Sequence, residues 1–351
     1  MLDIHAVSEL LARHAPTQQS RWVQQISTAR QIWHTLVADP ALQAQACKKT
    51  MLVFEQPLNH IFFTDAVAKN YIVCGIDGSQ IYPDRHEGFS EYLINIGTVI
   101  FTYGASSSAL LQTRPFLFTG QGDEAMVTPE LVNARRTGYE LAQAAEVAQK
   151  NPGVCIMVDG ALVFWHLTTP EMQELFVPEY LKNLKILQEL KTPYIGYISA
   201  SHSRELIRLI EATAELAGDK QALDFLVDTD ILNHFLLPGQ YTQLFKSNLS
   251  AALYTEGLEP YFFYLHTGDE IARVELPAYV ARDQALFLNC LGIILDQNRK
   301  GNGYPICLSE AHEQAVVKAA DRDFFYTLLQ MHYQRPAGTS LKLMKKRSAA
   351  V

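Results

Sequence analysis

The fold is decided by the stretch Tyr71-Ile72-Val73-Cys74-Gly75-Ile76-Asp77-Gly78-Ser79-Gln80. An apolar run rich in β-branched residues ends in Asp-Gly-Ser, a pattern that predicts a buried strand with a carboxylate at its C-terminal end. The pattern returns in Val154-Cys155-Ile156-Met157-Val158-Asp159-Gly160. Neither run alternates with polar residues, which is typical of strands buried on both faces. If the two strands are neighbours, Asp77 and Asp159 lie side by side, which is costly unless a cation lies between them.

Asp-Gly is also a common hairpin turn, so each motif taken alone is equally well explained as a turn. The two motifs together, with a third near the C-terminus described below, favour a functional site at the ends of two strands.

The composition describes an ordinary globular protein. The chain has 351 residues, of which 48% are hydrophobic and 19% charged, enough for one large domain or two modest ones. No apolar stretch is long enough to span a membrane, and the N-terminus lacks the basic start of a signal peptide. The five cysteines are scattered without a CxxC pair, which predicts reduced core residues in a cytoplasmic protein: Cys47, Cys74, Cys155, Cys290 and Cys307.

The charge is unevenly distributed. A net charge of −8 argues weakly against nucleic-acid binding. The last residues are basic, however, with Lys342, Lys345, Lys346 and Arg347 close together. Such a tail can contact phosphates, and it is equally well explained as a solvated end.

The order of elements predicts an α/β protein. Residues 2–50 read as helical, with Pro16 and Pro40 bracketing one long helix. Strands are predicted at 71–77, 92–103 and 115–118, followed by a helix that Thr128 opens and a strand that ends at Asp159. A helix and a further strand at 194–198 come next. This order predicts a ribonuclease-H-like mixed sheet flanked by helices, with an N-terminal helical arm and added strands. We therefore divide the chain into an arm (1–50), a core domain (51–335) and a basic, flexible tail (336–351).

The third motif is Gly303-Tyr304-Pro305-Ile306-Cys307-Leu308-Ser309-Glu310-Ala311-His312-Glu313. Ser309 reads as an N-cap, which places His312 in the first turn of a helix. The helix dipole there disfavours a protonated imidazole, and a neutral His312 is able to bind a metal. The alternative is that His312 has only a structural role in the helix.

With these three motifs in this order, the chain resembles the NurA family of DNA repair nucleases from about Tyr71 to Phe325. The motifs are Ile76-Asp77-Gly78-Ser79, Val158-Asp159-Gly160-Ala161-Leu162, and Gly303-Tyr304-Pro305 with Ala311-His312. The family usually has Ser where this chain has Ala161, a change that removes no ligand. Supporting matches are Thr229-Asp230, Leu237-Pro238-Gly239 and Arg273-Val274-Glu275-Leu276-Pro277.

The resemblance implies a ribonuclease-H-like nuclease that uses manganese. The family's site consists of two strand-end aspartates, a Glu on the helix before the second of them, and the Tyr and His of the third motif. The aspartates correspond to Asp77 and Asp159, and the Tyr and His correspond to Tyr304 and His312. The helix offers Glu130, Glu140 and Glu146, and Glu140 is favoured because it follows Arg135-Arg136 as in the family pattern.

The chemistry of these side chains agrees with that implication. Two divalent ions roughly 4 Å apart can generate a hydroxide and stabilise the charge that develops on phosphorus. Carboxylates suit Mg²⁺ and Mn²⁺, and an imidazole ligand favours Mn²⁺. We expect Asp77 to bridge two metals, with Asp159 and Glu140 each on one of them. His312 is a nitrogen ligand or a general acid or base, and Tyr304 orients a phosphate oxygen or the water.

The resemblance also implies DNA as substrate, in DNA end processing and double-strand break repair, by exonuclease or endonuclease cleavage or both. It further implies a HerA-like hexameric ATPase as partner and a homodimer. Residues 17–40 and the C-terminal tail are the segments first expected to contact a partner. We expect Arg135, Arg136 and Arg273 near the site, since a DNA substrate needs local positive charge.

Two other functions are compatible with the sequence. One is a catalytically silent subunit or adaptor with the same fold, which would not need all of these ligands. The other is a different metal hydrolase such as a phosphatase, which the absence of HExxH, of DxDxT-like spacing and of a nucleophilic Ser or Cys motif disfavours.

Overall fold

The computed structural model describes residues 2–65, 68–83, 89–119, 127–247 and 252–333. The strands are β1 (Leu52–Val53), β2 (Ile61–Phe63), β3 (Tyr71–Ile81), β4 (Tyr92–Tyr103), β5 (Ser108–Phe118), β6 (Val154–Asp159), β7 (Tyr194–Ile198), β8 (Gln240–Thr242), β9 (Lys246–Ser247), β10 (Pro260–His266) and β11 (Ile271–Pro277). The helices are α1 (Ile4–Ala38), α2 (Pro40–Thr50), α3 (Pro129–Lys150), α4 (Pro170–Glu189), α5 (Glu205–Leu216), α6 (Asp228–Leu232), α7 (Ala278–Ala281), α8 (Gln284–Lys300), α9 (Ile306–Ala315) and α10 (Ala319–Tyr333).

The chain forms two compact units. The first comprises Met1–Asp65, Tyr197–Ala252 and Glu259–Leu276, and the second comprises Ala66–Gly196, Leu253–Leu258 and Pro277–Val351. The arm, core and tail boundaries predicted from the sequence stay a prediction. The predicted flexible tail at 336–351 lies outside the described residues.

The second unit contains the sheet on which the predicted site lies. Strands β3, β4 and β5 form an antiparallel meander, in which Tyr71 pairs with Tyr103 at one end and Ile81 with Leu93 at the other. β6 joins the other side of β3 in parallel, and β7 follows β6 in the strand order. Three antiparallel strands, a helix and a parallel strand are the predicted order, so the mixed, ribonuclease-H-like α/β fold is confirmed.

Local sequence explains where the helix between β5 and β6 begins. The Thr128 side chain accepts a hydrogen bond from the Leu131 amide, and Pro129 occupies the first helical position, where its missing N–H costs nothing. α3 then buries Val132, Leu141 and Ala144 against the sheet and α4. The bounds of α3 are those predicted from the sequence.

The first unit contains the N-terminal helices and β10–β11. Both helices lie within residues 2–50, as predicted, but Pro16 lies inside α1 and does not begin a helix there. α1 begins instead at Asp3, whose side chain accepts a hydrogen bond from the Ala6 amide. A proline removes one backbone hydrogen bond from a helix. Helical segments on both sides of Pro16 are long enough for the helix to continue through it.

Among the described residues, no helix is long and apolar enough to cross a lipid bilayer.

Candidate active site

Asp77 and Asp159 lie on adjacent parallel strands, as the sequence predicts. The register pairs Ile76 of β3 with Val158 of β6, so each aspartate is the next residue on its own strand. β6 ends at Asp159, whereas β3 continues to Ile81. Asp77 therefore lies within β3, at the point where its neighbour ends, and not at the tip of the strand as predicted. The open end of β6 leaves room for side chains from other elements to reach both aspartates.

Helix α9 lies directly on this part of the sheet because two glycines leave space for it. A Cβ atom at Gly75 would lie 2.1 Å from the backbone oxygen of Cys307, and one at Gly97 would lie 2.4 Å from that of Ala311. Real Cβ atoms essentially never come so close to backbone atoms, so no larger residue fits at either position without moving the helix. The glycines of β3 and β4 thus fix how closely α9 approaches the aspartates.

The C-terminal end of α9 is held by side chains from three strands. Asn95 donates from Nδ2 to the Ala315 carbonyl oxygen at 2.8 Å, and Ser79 donates to the same oxygen. Thr113 donates to the Gln314 carbonyl oxygen at 2.7 Å. These carbonyls lack partners within the helix, so the strand side chains satisfy them. The helix is therefore fixed in its position along the sheet.

His312 contacts Asp77 directly. The distance between its Nδ1 and Asp77 Oδ2 is 2.8 Å, and Asp77 Oδ1 accepts a hydrogen bond from the Gly78 amide, also at 2.8 Å. The His312 side chain is 62% exposed and that of Asp77 is 21% exposed. The imidazole is therefore accessible to a substrate from solvent, while the carboxylate is mostly enclosed.

The predicted reason for the position of His312 is wrong. α9 begins at Ile306, with Pro305 at the N-cap position, so Ser309 is inside the helix and His312 lies in its last turn. The dipole at that end of a helix favours a positive charge, which is the reverse of the predicted effect. It is the contact with the Asp77 carboxylate, and not a helix N-terminus, that orients the imidazole.

Tyr304 contacts the second aspartate, because it lies just before α9. Its hydroxyl group forms a side-chain hydrogen bond with Asp159. Burial raises the pKa of Tyr304 well above its usual value, and the charges of Asp159 and, more weakly, Asp77 raise it further. Tyr304 therefore stays protonated at neutral pH and acts as a hydrogen-bond donor.

Glu140 reaches the site from the opposite face of the sheet. Alternate residues of a strand point to opposite faces, and Gly75, Asp77 and Ser79 all face α9. Gly78 therefore faces α3, and a Cβ atom there would lie 2.5 Å from Glu140 Oε1 and 2.7 Å from Arg136 Cγ. The glycine that follows Asp77 thus provides the space that Glu140 occupies.

The charges of Asp77 and Asp159 affect the pKa of Glu140. Burial raises the pKa of Glu140 to about 7; Arg136 opposes the shift, and the charges of Asp77 and Asp159 add to it. The three carboxylates therefore interact, although they come from three different elements. Removing negative charge from this cluster, or placing a cation in it, would relieve the repulsion.

Arg136 is the cation next to this cluster. Its Nε lies 3.4 Å from Glu140 Oε1, which is an ion pair without the geometry of a hydrogen bond, and its Nη1 donates to Gln80 Oε1 at 3.0 Å. Arg135 has other contacts, with the Tyr92 hydroxyl and the rings of Tyr92 and Phe118. Among the arginines predicted to lie near the site, Arg136 contacts the predicted site residue Glu140.

Arg273 is a buried structural residue of the first unit. Its side chain is 3% exposed, forms ion pairs with Glu205 at 3.0 Å and Glu275 at 2.9 Å, and lies 3.7 Å from the centre of the Phe262 ring. An arginine that is buried and paired twice has no free donor face for a phosphate. The expectation that Arg273 lies near the site stays a prediction.

Two residues that the sequence did not indicate, His166 and Gln80, lie near Arg136. His166, seven positions after Asp159, lies close enough to Arg136 for that charge, after burial, to help lower its pKa to about 4. Gln80 accepts a hydrogen bond from Arg136 and extends the site along β3. Their proximity in sequence to Asp159 and Asp77 is the only signal that could have indicated them.

Within the described residues, no group of three or more His, Cys, Asp or Glu side chains is arranged to hold a metal ion. Asp77 has His312 as a partner and Glu140 has Arg136. The donor set nevertheless fits a hard divalent cation, since it consists of carboxylate oxygens and one imidazole. Burial raises the pKa of Glu140 most, and the nearby charges of Asp77 and Asp159 add to it, so a cation bound among these carboxylates would lower it.

Comparison with solved structures shows the fold. The chain is similar to the crystal structure of the NurA nuclease from Sulfolobus solfataricus, with 17% sequence identity and a TM-score of 0.52 over 87% of this chain and 95% of that one. Two weaker neighbours, from which no conclusion is drawn, are a second NurA structure and the catalytic domain of human endonuclease V. The second NurA structure has 10% identity, covers 76% of this chain and 90% of its own, and has a TM-score of 0.41. Endonuclease V has 12% identity, covers 82% of this chain and 95% of its own, and has a TM-score of 0.37.

Comparison with curated proteins found no match. The profile of the NurA domain matches residues 71–317, a range that contains Asp77, Glu140, Asp159, Tyr304 and His312. This match covers more than half of the chain, and the protein therefore belongs to the NurA family.

Proposed function

We propose that this protein is a metal-dependent deoxyribonuclease that hydrolyses phosphodiester bonds at the site formed by Asp77, Glu140, Asp159, Tyr304 and His312. The observation that carries the proposal is the in-register position of Asp77 and Asp159 on adjacent parallel strands, with His312 and Tyr304 each contacting one of them. Membership of the NurA family supports the same function.

In this proposal, Asp77, Asp159 and Glu140 supply the oxygen ligands and His312 supplies a nitrogen. A bound pair of divalent ions would supply the attacking hydroxide and offset the charge that develops on phosphorus. The imidazole is the reason to expect Mn²⁺ in preference to Mg²⁺, since nitrogen ligands suit Mn²⁺ better. Because Asp77 and Glu140 already have cationic or imidazole partners, these contacts must change when the ligands bind a metal.

The remaining side chains act on the substrate. Tyr304 stays protonated and donates its single hydroxyl proton to Asp159. When Asp159 turns to a bound cation, the same hydroxyl would be free to donate to a phosphate oxygen or to the attacking water. Arg136 brings a positive charge beside Glu140 and offsets part of the phosphate charge. If His312 does not bind a metal, its exposed imidazole is placed to transfer a proton to or from the reacting groups.

The biological setting is proposed from the resemblance to the family. We expect cleavage in DNA end processing and double-strand break repair, by exonuclease or endonuclease action or both, in the cytoplasm. We also expect a homodimer that works beside a HerA-like hexameric ATPase. The first half of α1 is consistent with a role in assembly, because Leu10 and Leu11 are more than half exposed there.

The test is cleavage of labelled single- and double-stranded DNA with Mn²⁺, with Mg²⁺ and with a chelator. We expect cleavage with Mn²⁺, weaker cleavage with Mg²⁺ and none with the chelator. Asp77→Asn and Asp159→Asn should each abolish cleavage, and added metal should not restore it. Asp224→Asn is the matched control, because Asp224 is exposed in the first unit.

The alternative is a catalytically silent subunit of a DNA translocase complex. It predicts no metal-dependent cleavage by the wild-type protein, alone or with a HerA-like ATPase. Cleavage that survives both aspartate substitutions would also contradict the proposed site.

A further inference from the structure

The segment that follows Asp159 is held rigidly by its apolar side chains. Leu162, Val163 and Phe164 are each less than 9% exposed. The Phe164 ring stacks on Tyr254 with 4.7 Å between ring centres. The Tyr254 hydroxyl donates to the Leu162 carbonyl oxygen at 2.6 Å and accepts from the Phe164 amide at 3.1 Å. The backbone that leaves the site is therefore fixed on both sides of Val163.

Trp165 is the exception in this segment. It is 58% exposed, although it lies between the buried Phe164 and the half-buried His166, and its amide donates to the Val163 carbonyl oxygen at 2.8 Å. A single exposed apolar side chain is common on protein surfaces and by itself indicates nothing. What distinguishes Trp165 is that its backbone is fixed, so that its indole is held in solvent by a rigid support.

The position of Trp165 relative to the site follows from its neighbours. The His166 imidazole lies 3.1 Å from the Tyr180 hydroxyl, which in turn donates to the Ala134 carbonyl oxygen of α3. The Arg136 charge acts on His166, and Arg136 pairs with Glu140. Six residues of extended chain span at most about 20 Å, so Trp165 lies within about six nucleotide steps of Asp159.

A second exposed aromatic residue, Tyr82, is linked to Arg136 through Gln80. Tyr82 follows the end of β3 and is 37% exposed. Its hydroxyl accepts from Gln80 Nε2 and donates to Asn133 of α3, both at 2.8 Å, and Gln80 in turn accepts from Arg136. Proteins that hold single-stranded nucleic acid combine positive charge with exposed aromatic side chains, because each base has a face that stacks.

We propose that Trp165 stacks on an unpaired base of the DNA and so positions a single-stranded segment across the site. This inference rests on the proposed nuclease function and names the form of DNA that the site takes. Bases within a duplex are already stacked on their neighbours, so Trp165 favours single strands and frayed ends over blunt duplexes.

The test compares two probes of equal length and charge, one a single-stranded oligoadenylate and the other the same backbone without bases. Binding of the full-length protein is measured by fluorescence anisotropy in a chelator, which prevents cleavage. We expect Trp165→Ala to lower the affinity for the first probe about tenfold and to leave that for the second unchanged. Trp165→Phe should keep most of the affinity because it keeps a stacking ring.

Trp22→Ala is the matched control, since Trp22 is also exposed, at 40%, but lies on α1 in the first unit. It should bind both probes like the wild type. Thermal melts accompany each variant, and if Trp165→Ala is unfolded, Trp165→Gln takes its place. The proposal is overturned if Trp165→Ala loses affinity for both probes equally, or for neither of them. It is also overturned if the wild-type protein does not distinguish the two probes.

A cleavage assay on the same proteins separates this inference from the proposed function. If the wild type cleaves DNA in Mn²⁺ and Trp165→Ala binds the oligoadenylate as the wild type does, the stacking role of Trp165 is contradicted and the nuclease function is supported. If neither the wild type nor any variant cleaves DNA, but Trp165→Ala still loses affinity only for the oligoadenylate, the nuclease function is contradicted and the stacking role of Trp165 is supported.

Discussion

Nδ1 of His312 lies 2.8 Å from Oδ2 of Asp77, and this contact joins the last turn of α9 to β3. The two residues are 235 positions apart in the chain. The contact is made by an exposed imidazole and a mostly enclosed carboxylate, so its loss should affect the site more than the core.

We expect His312→Ala to fold normally and to lose activity. The side chain is 62% exposed, so its removal leaves no cavity, and the free energy of unfolding should change by less than about 1 kcal/mol. Cleavage at saturating Mn²⁺ should fall about 10²- to 10⁴-fold. His332→Ala, at another exposed histidine, is the control for a general effect on the surface. A stable, fully active His312→Ala protein would remove this residue from the site.

The pH dependence of stability should report the raised pKa of Glu140. Its pKa in the folded protein is about 7, above the value of 4.5 for an ordinary Glu. Its contribution to stability is therefore fully present below about pH 4.5 and is lost as the pH rises through 7. In metal-free buffer, Glu140→Gln should be more stable than the wild type at pH 8 by about 2 kcal/mol, and the difference should shrink at lower pH.

Glu146→Gln, on the same helix, is the control for this measurement. Contacts with Lys150 lower the pKa of Glu146, with a smaller contribution from Arg114, so its substitution should not stabilise the protein at pH 8. Chemical denaturation across the pH range provides the comparison. If Glu140→Gln were no more stable than the wild type at pH 8, the raised pKa of Glu140 would be contradicted.

Two glycines of β3 should respond differently to alanine. At Gly75 a methyl group would meet the Cys307 backbone, which cannot move without shifting α9, so Gly75→Ala should destabilise the protein by about 3 kcal/mol. At Gly78 the methyl group would meet the Glu140 and Arg136 side chains, which are able to move. Gly78→Ala should therefore retain most of its stability and lose most of its activity. Thermal melts and cleavage rates on the same samples test this contrast, and equal losses of stability would contradict it.

Arg136 and Arg273, which both have acidic partners, should respond differently to alanine. Arg273→Ala leaves Glu205 and Glu275 without their shared cation in a buried environment, which should cost about 3–5 kcal/mol. Arg136→Ala removes a partly exposed side chain and should mainly weaken DNA binding and cleavage. The measurement is activity per folded molecule. It should be unchanged for Arg273→Ala, and a reduced value there would indicate a role of Arg273 at the site.

Much of the site's scaffold could be predicted from local sequence. The apolar runs before Asp77 and Asp159 indicate two buried strands, and Thr128 with Pro129 marks the start of α3. These signals lie within a few residues of the structure they determine, since capping, strand propensity and burial act locally. The boundaries of α3, β4 and β7 therefore agree with the prediction.

The predicted starts of α9 and α1 were wrong because in each case two residues have the chemistry of a helix N-terminus. Ser309 has the chemistry of an N-cap, but Pro305 already begins α9, and this shifts His312 from the first turn to the last. Pro16 has the chemistry of a helix start, but Asp3 begins α1 and the helix continues through the proline. In both cases two residues could begin the helix, and the sequence does not rank them.

Contacts that depend on how helices and side chains pack on the sheets could not be predicted. Nothing in the residues around Gly78 indicates that it makes room for Glu140 on the opposite face from Asp77. The burial of Arg273 depends on Glu205, 68 positions earlier in the numbering, and on the ring of Phe262. Such arrangements depend on how the helices pack on the sheets, which the pattern of a single segment does not specify.

The separation between Asp77 and His312 has a consequence during synthesis. A ribosome adds roughly 5–20 residues per second, and domains begin to fold while the chain is still emerging. The strands that carry Asp77 and Asp159, and the helix that carries Glu140, are therefore made many seconds before α9. During that interval the nascent chain has its carboxylates but neither Tyr304 nor His312. If the proposed chemistry needs these two residues, an incomplete chain released by a stalled ribosome is inactive towards DNA, and its cell is spared uncontrolled cleavage.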